Sequence, residues 1–309
     1  MEAGGDAVEA LAKRLEEDRL SGSRELALLA LRCLGLYIAR HRERGAQQAY
    51  AGSLALARRL ARSRPNMVAI ANVLAYVIYS MKGRREPREA LEVGLSSIEL
   101  VAAELRASAA RVARSFAKAV GEGGRYVTLS HSSTVREALL AAKPSLVYVC
   151  ESRPRLEGVE LAKRLSSQGI RAVLVPDAAG AYALERAEAL VLGADAVYGD
   201  GGFVNKVGSR MLCLAASELK RPVYVLFDRW KLHPRAPERF ISEQDDASQL
   251  VRLNAIRAEV PLFELVPSNP QLRYISEFGP LEPAELRARA QGLLPMLQAL
   301  NEATNSTRA

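Results

Sequence analysis

Five short apolar runs constrain this chain more than any other feature: Tyr126–Leu129, Leu146–Val149, Ala172–Val175, Ala189–Leu192 and Val223–Phe227. Each is too short for a helix and rich in Val and Leu, and several are bounded by Gly, Pro or Asp, which reads as buried parallel strands. Segments of helical period lie between them, at Val135–Ala142, Gly158–Ser167 and Lys206–Leu219. Alternating strand and helix predict an α/β unit with a doubly wound, mostly parallel sheet. In such a sheet ligands bind outside the carboxyl ends of the strands. Polar residues fall there: Ser130-His131-Ser132 after the first run, Glu151-Ser152-Arg153 after the second, Asp177 after the third and Asp195 after the fourth.

Upstream of residue 120 there is no strand signal. Helical periods run through Ala7–Glu17, Glu25–Arg42, Ala46–Ser63 and Asn66–Met81, with one or two more helices over Glu89–Val120. Pro65 disfavours helical geometry in the residue before it and suits the first turn of the helix after it. Gly121-Glu-Gly-Gly124 is the clearest boundary, because three glycines in four residues end a helix. The expected organisation is a helical domain over 1–120 and an α/β domain over 121–309. In the latter, Asp228–Leu253 is polar and irregular, and a loop of that length is often functional. Leu262–Val266 looks like a sixth strand, Pro283–Leu300 like a closing helix, and Asn301–Ala309 like a frayed tail.

No run approaches the roughly 20 apolar residues of a membrane span, and the acidic, polar N-terminus is unlike a secretory leader. Cys33, Cys150 and Cys213 are odd in number, far apart and set in apolar contexts. Buried free thiols in a cytoplasmic chain are the expectation. The 43 Lys and Arg exceed the 35 Asp and Glu, for a net charge of +8. That excess is scattered and comes without a nucleic-acid-reading signature, so it fits a solvated Arg-rich surface or attraction for phosphorylated ligands. His41 and His233 have no metal-ligand spacing with other residues. No metal and no cofactor is expected.

Several motifs admit two readings. Gly199-Asp-Gly-Gly202 leads to Asn205-Lys206, which would offer an amide and a cation at the start of the next helix, where unpaired N–H groups favour phosphate. The same residues fit a tight turn with a surface lysine, and the Walker and dinucleotide spacings are absent. Asp195 either caps a turn or, at the lip of a crevice, carries protons. His131 is either a hydrogen-bonded structural residue or part of a site. Ser132 and Ser133 lack the elbow of a hydrolase nucleophile.

The ordered set Glu151-Ser-Arg-Pro154, Gly158, Leu161-Ala162, Gly169-Ile170, Asp177-Ala-Ala179, Gly193-Ala-Asp195 and Asn205-Lys-Val-Gly-Ser209 resembles one family. It comprises the alpha, beta and delta subunits of translation initiation factor 2B, methylthioribose-1-phosphate isomerase and archaeal ribose-1,5-bisphosphate isomerase. Pro261-Leu-Phe-Glu264 resembles the family's last strand, and Ser63-Arg64-Pro65 with Asn72 its helical domain.

The resemblance implies a helical N-terminal domain, a Rossmann-like α/β domain, and assembly as a homodimer or larger homo-oligomer. In the isomerases a Cys and the Asp of Gly-Ala-Asp move protons during aldose–ketose conversion. Asp195 matches that Asp, but Ser132 stands at the Cys position, with His131 before it. The family's N-terminal phosphate-holding Arg-Gly is matched here by Ser21-Gly22, so the cation is lost. Arg64, Arg153, Ser133, Asn205 and Lys206 keep the other implied phosphate or ligand contacts, with Gly22. The resemblance thus implies a binding or regulatory protein with a pocket for a phosphorylated sugar or nucleotide, and a translation factor as a possible partner. The alternative is a divergent sugar-phosphate isomerase using Asp195.

Overall fold

The computed structural model describes residues 3–19, 21–43, 45–246, 248, 250 and 257–302. Five helices come first: α1 (Ala3–Glu17), α2 (Ser23–His41), α3 (Ala46–Ser63), α4 (Val68–Met81) and α5 (Pro87–Val120). Ten of the 14 residues of α4 are buried, so this helix is the centre of its unit, and α2 and α3 pack on it. The stretch expected to hold one or two helices before residue 120 is the single helix α5.

The chain forms two compact units, with boundaries unlike the expected split at residue 120. One takes in the described chain up to Ala107, Trp230–Pro234 and the chain from Arg289; the other takes Ser108–Arg229 and Arg235–Ala288. Two physical reasons account for this. The last turns of α5 carry Val112, Ala113 and Phe116 into the core beneath the strands, where the Phe116 ring meets Tyr126 and Tyr224 edge-on. The expected closing helix divides near Gly292 into α10 (Pro283–Gln291) and α11 (Leu294–Glu302), and α11 packs on α4 and α3. There Arg58 donates to the Leu300 carbonyl at 2.7 Å. Of the expected tail, residues 303–309 lie outside the described residues.

In the α/β unit the chain runs β1 (Arg125–Leu129), α6 (Ser133–Ala142), β2 (Leu146–Cys150), α7 (Glu157–Ser167), β3 (Ala172–Val175), α8 (Gly180–Glu185) and β4 (Ala189–Gly193). It continues through β5 (Ala196–Tyr198), β6 (Phe203–Lys206), α9 (Ser209–Glu218) and β7 (Val223–Leu226). The two-residue strand β8 (Leu232–His233) belongs to the helical unit. Then come β9 (Phe263–Val266), β10 (Leu272–Ser276) and β11 (Gly279–Leu281).

The main sheet has the order β11-β10-β7-β4-β1-β2-β3, parallel except for β11. All five residues of β4 are buried, as a central strand covered on both faces requires. β3 departs from the expectation of burial, because it is the sheet edge and exposes Val173 and Leu174. The expected sixth strand also lies elsewhere. β9 pairs antiparallel with β6 in a small second sheet, and β10 takes the sixth parallel position.

From β1 the chain winds outward to β2 and β3, then crosses to the other side of β1 for β4, β7 and β10. The strand order therefore reverses between β1 and β4, and the carboxyl ends of these two strands are the topological switch point of the sheet.

Candidate functional site at the switch point

Ser132 and Asp195 follow the two strands at that switch point. Ser132 caps α6, its hydroxyl accepting from the Val135 N–H at 3.4 Å. It also lies directly over β4: a Cβ placed on Gly193 would come within 2.8 Å of Ser132 Oγ. Only glycine permits that approach, which gives Gly-Ala-Asp its physical reason. Two residues on, the Asp195 N–H donates to the Val204 carbonyl at 2.8 Å. The half-buried Asp195 carboxylate has no hydrogen-bond or ion-pair partner among the described residues. It does not cap the following turn.

The loop after β1 is held by its neighbours. Ser130 has φ 64 and its N–H donates to Ser152 Oγ at 2.7 Å. His131 and Ser133, half-buried, follow on the same loop and the first position of α6. Asp177 takes the Ser152 and Arg153 N–H groups at 2.8 and 2.7 Å, so its carboxylate orders the chain and is not free for a ligand. The Arg153 guanidinium is exposed and has no partner among the described residues.

Asn205 and Lys206 require a correction. They end strand β6 instead of opening a helix; α9 begins at Ser209 after Gly208. The Glu264 carboxylate accepts the Arg210 N–H at 2.8 Å, so the first turn of α9 already has its anion. Asn205 donates to Ser209 Oγ at 2.9 Å, and Lys206 pairs with Glu157 at 2.5 Å. The ladder that pairs Ala196 with Val204 runs on to put Asn205 level with Asp195. Gly199–Gly202 is the turn of the β5–β6 hairpin, closed by Gly201 N–H donating to the Tyr198 carbonyl at 2.9 Å. The turn, not the phosphate loop, is what these glycines build.

Arg64 and Gly22 lie in the helical unit. Arg64 is buried and its guanidinium donates to the Asp18 carbonyl, while the Asp18 carboxylate holds Ser21 through N–H and hydroxyl at 2.8 and 2.7 Å. Gly22 is the N-cap of α2 and supplies no side-chain cap. Sequence reasoning missed Lys231. It is 6% exposed, and its ammonium has no partner among the described residues. Asn72 fixes its place by donating to the Trp230 and Leu232 carbonyls on either side, both at 2.7 Å. The available signal was Asn72 itself, a polar residue in an otherwise apolar helix.

The three thiols are buried, and burial pushes Cys33 up to about 11 and Cys150 and Cys213 up to about 12. None is poised for acid–base work near pH 7. At the ends of β7 and β10, Ser108 donates to Asp228 at 3.1 Å and the Arg229 N–H donates to Glu277 at 3.1 Å. Burial, and then the Asp228 charge, hold Glu277 above the usual carboxylate range. Among the described residues no group of three or more His, Cys, Asp or Glu is placed to hold a metal ion, and no helix is long and apolar enough to cross a membrane.

Comparison with known proteins gives this chain its relatives. A ribose 1,5-bisphosphate isomerase of Methanocaldococcus jannaschii is 27% identical over 237 residues, 72% of this chain and 74% of that protein. A putative translation initiation factor eIF-2B subunit 2-like protein of Pyrococcus horikoshii is 33% identical over 53% of this chain and 59% of its own. Among solved structures, the Pyrococcus horikoshii OT3 translation initiation factor eIF-2B shares the fold with a TM-score of 0.78 at 24% identity, over 89% of this chain and 97% of that one. The tetrameric eIF2B-beta2-delta2 complex of C. thermophilum gives a TM-score of 0.75 at 21% identity, covering 94% and 95%. The 5-methylthioribose 1-phosphate isomerase of Pyrococcus horikoshii OT3 gives 0.71 at 19%, covering 93% and 87%. The model of the initiation factor 2 subunit family matches residues 19–283, and the chain belongs to that family.

Proposed function

We propose that the chain is a binding and regulatory member of its family that holds a phosphorylated sugar or nucleotide at the switch point of the α/β unit. One observation carries this: Asp195 keeps a free carboxylate at the switch point, while the hydroxyl over β4, Ser132, caps α6. A carboxylate without a partner suits a ligand hydroxyl, whereas aldose–ketose conversion needs a second group able to give and take a proton. A serine hydroxyl is a far weaker acid than a thiol. Binding is therefore retained and the chemistry is blunted.

Arg153 and Ser133 are the proposed polar contacts of the α/β unit, with Asn205 beside Asp195. Lys206 is a weaker candidate than its charge suggests, because Glu157 already neutralises it. Within the helical unit, Arg64, Gly22 and Lys231 are candidates of their own for an anionic group. Calorimetry with ribose phosphates and nucleoside monophosphates tests the reading. Binding is expected, and Arg153→Ala weakens it by about 1.5–3 kcal/mol. No heat with any of these ligands contradicts it.

A second reading, a divergent isomerase with Asp195 as proton carrier and His131 as helper, has support in the name of the Methanocaldococcus jannaschii relative. Assembly with a second copy in the cytoplasm, and a translation factor as partner, belong to the regulatory reading. Tyr182 on α8 and Met211 and Leu214 on the adjoining α9 are exposed apolar side chains of the α/β unit that a second copy would cover. Obligate interfaces bury on the order of 2,000 Å² or more. Light scattering at micromolar concentration is expected to give a dimer or larger species, and Leu214→Glu a smaller one. Monomer alone in the unmodified protein contradicts assembly.

A further inference from the structure

We propose that Asp177 is a positioning residue for the switch-point site, acting through Ser152 on the backbone of Ser130. The inference rests on Ser132 and Asp195 being the site, but its test needs no ligand and can fail while that reading stands.

Three strand ends are joined in series. Past β3, the two Asp177 oxygens take the N–H groups of Ser152 and Arg153, past β2. Ser152 is 2% exposed, and its hydroxyl accepts from the Ser130 N–H, past β1, and donates to the Cys150 carbonyl at 3.3 Å. Ser130 and Ser152 both sit in the left-handed region, at φ 64 and 63. A non-glycine residue there is strained and persists only where its surroundings hold it. The relay supplies one hydrogen bond to each strained N–H. Releasing Ser152 frees Ser130, and the next two residues are His131 and Ser132. The cap of α6 and the approach of Ser132 to Gly193 then lose their fixed origin. No ligand contact is asked of Asp177.

A reporter thiol reads this directly. The three native thiols are buried and held at about 11 and 12, so Ser132→Cys introduces the one thiol open to alkylation near neutral pH. Its alkylation rate by iodoacetamide, followed against pH, gives its apparent pKa. At the N-cap its thiolate is favoured by the aligned N–H groups of α6, and a loosened loop loses that alignment. In the Ser132→Cys background, Asp177→Asn and Ser152→Ala are each expected to raise that pKa by about half a unit. Glu188→Gln, at the opposite end of β1, is expected to leave it unchanged. Asp177→Asn also removes a negative charge, which by itself lowers the thiol's pKa, and Ser152→Ala changes no charge, so a rise in both variants reports geometry. Profiles that overlay the background, or that move as far with Glu188→Gln, overturn the proposal. If both relay variants fail to fold, hydrogen exchange at the Ser130 amide of the unmodified protein decides. Protection of about 1,000-fold or more is expected, and exchange at the free-chain rate overturns the relay.

Discussion

The corner formed by the ends of β1, β2 and β3 differs from the end of β4 in one respect. At the corner the backbone N–H groups past the strand ends are taken up internally: Asp177 holds those of Ser152 and Arg153, and Ser152 holds that of Ser130. At β4 the Asp195 carboxylate has no partner among the described residues. Buried and half-buried polar groups are normally satisfied, so a carboxylate left open at a strand end is available to a ligand. A motif residue can serve the fold or the ligand, and its hydrogen bonds tell which. Substitution at the corner should cost stability, and substitution at Asp195 should not.

The largest effect is expected from Gly158→Ala. A Cβ at this position would come 1.8 Å from the Cys150 carbonyl oxygen, a backbone atom that cannot move aside without shifting β2. Destabilisation of more than about 3 kcal/mol is expected in urea unfolding. A loss under about 1 kcal/mol would mean the corner is loosely built and the comparison is unsound.

Next comes the ion pair that ties the corner to the following loop. Arg155 and Asp245 form a two-point pair, with side chains 13% and 4% exposed. Asp245→Ala leaves the guanidinium without its carboxylate and should cost about 3 kcal/mol near pH 7. The Arg155 hydrogen bonds, foremost, hold the Asp245 carboxyl below its usual value. Its contribution is therefore present above the ordinary aspartate value of 3.8 and lost as pH falls through the lowered folded value. The deficit of Asp245→Ala should shrink as that window is crossed. A deficit that stays constant with acidification contradicts the ion-pair account.

Glu277 gives the opposite sign. Its folded value is raised by burial first and by Asp228 second, so its contribution is present below the ordinary glutamate value of 4.5 and lost as pH rises through the raised one. Glu277→Gln keeps an acceptor for the Arg229 N–H and removes the charge. Thermal unfolding should show the variant at least as stable as the parent at pH 7, with the difference vanishing under acid conditions. A variant clearly weaker at pH 7 contradicts this.

Much of the architecture was legible in the sequence because β2, β4 and β7 are uninterrupted apolar runs, and β1 is one broken only by Thr128 after Arg125, the signature of buried parallel strands. β5 and β6 were not. They are short, flank a glycine turn, and owe β6 its pairing to β9, more than fifty residues further on. Local pattern carries no record of such a partner, so Asn205-Lys206 read as a helix start. Asp195 and Ser132 were found by position after a strand, a rule that depends only on topology. Lys231 was missed because the residues on either side of it are held by Asn72, about half the chain away. The roles of Asp177 and Glu264 were hidden for the same reason: a carboxylate that completes backbone hydrogen bonding looks, in sequence, like one that binds a ligand.

The smallest structural effect and the most informative functional one coincide at Asp195. Asp195→Asn keeps the shape and should change stability by no more than about 0.5 kcal/mol, since no partner is lost. The measurement that tests the central claim most directly is a coupled isomerase assay on a panel of ribose phosphates, run on the unmodified protein and on Asp195→Asn. A general acid–base role is worth roughly 10²–10⁴-fold in rate. The account predicts no turnover above background in either protein, under conditions where calorimetry shows the unmodified protein occupied. Turnover by the unmodified protein that Asp195→Asn abolishes would contradict it and make this chain an isomerase working with serine in place of the thiol.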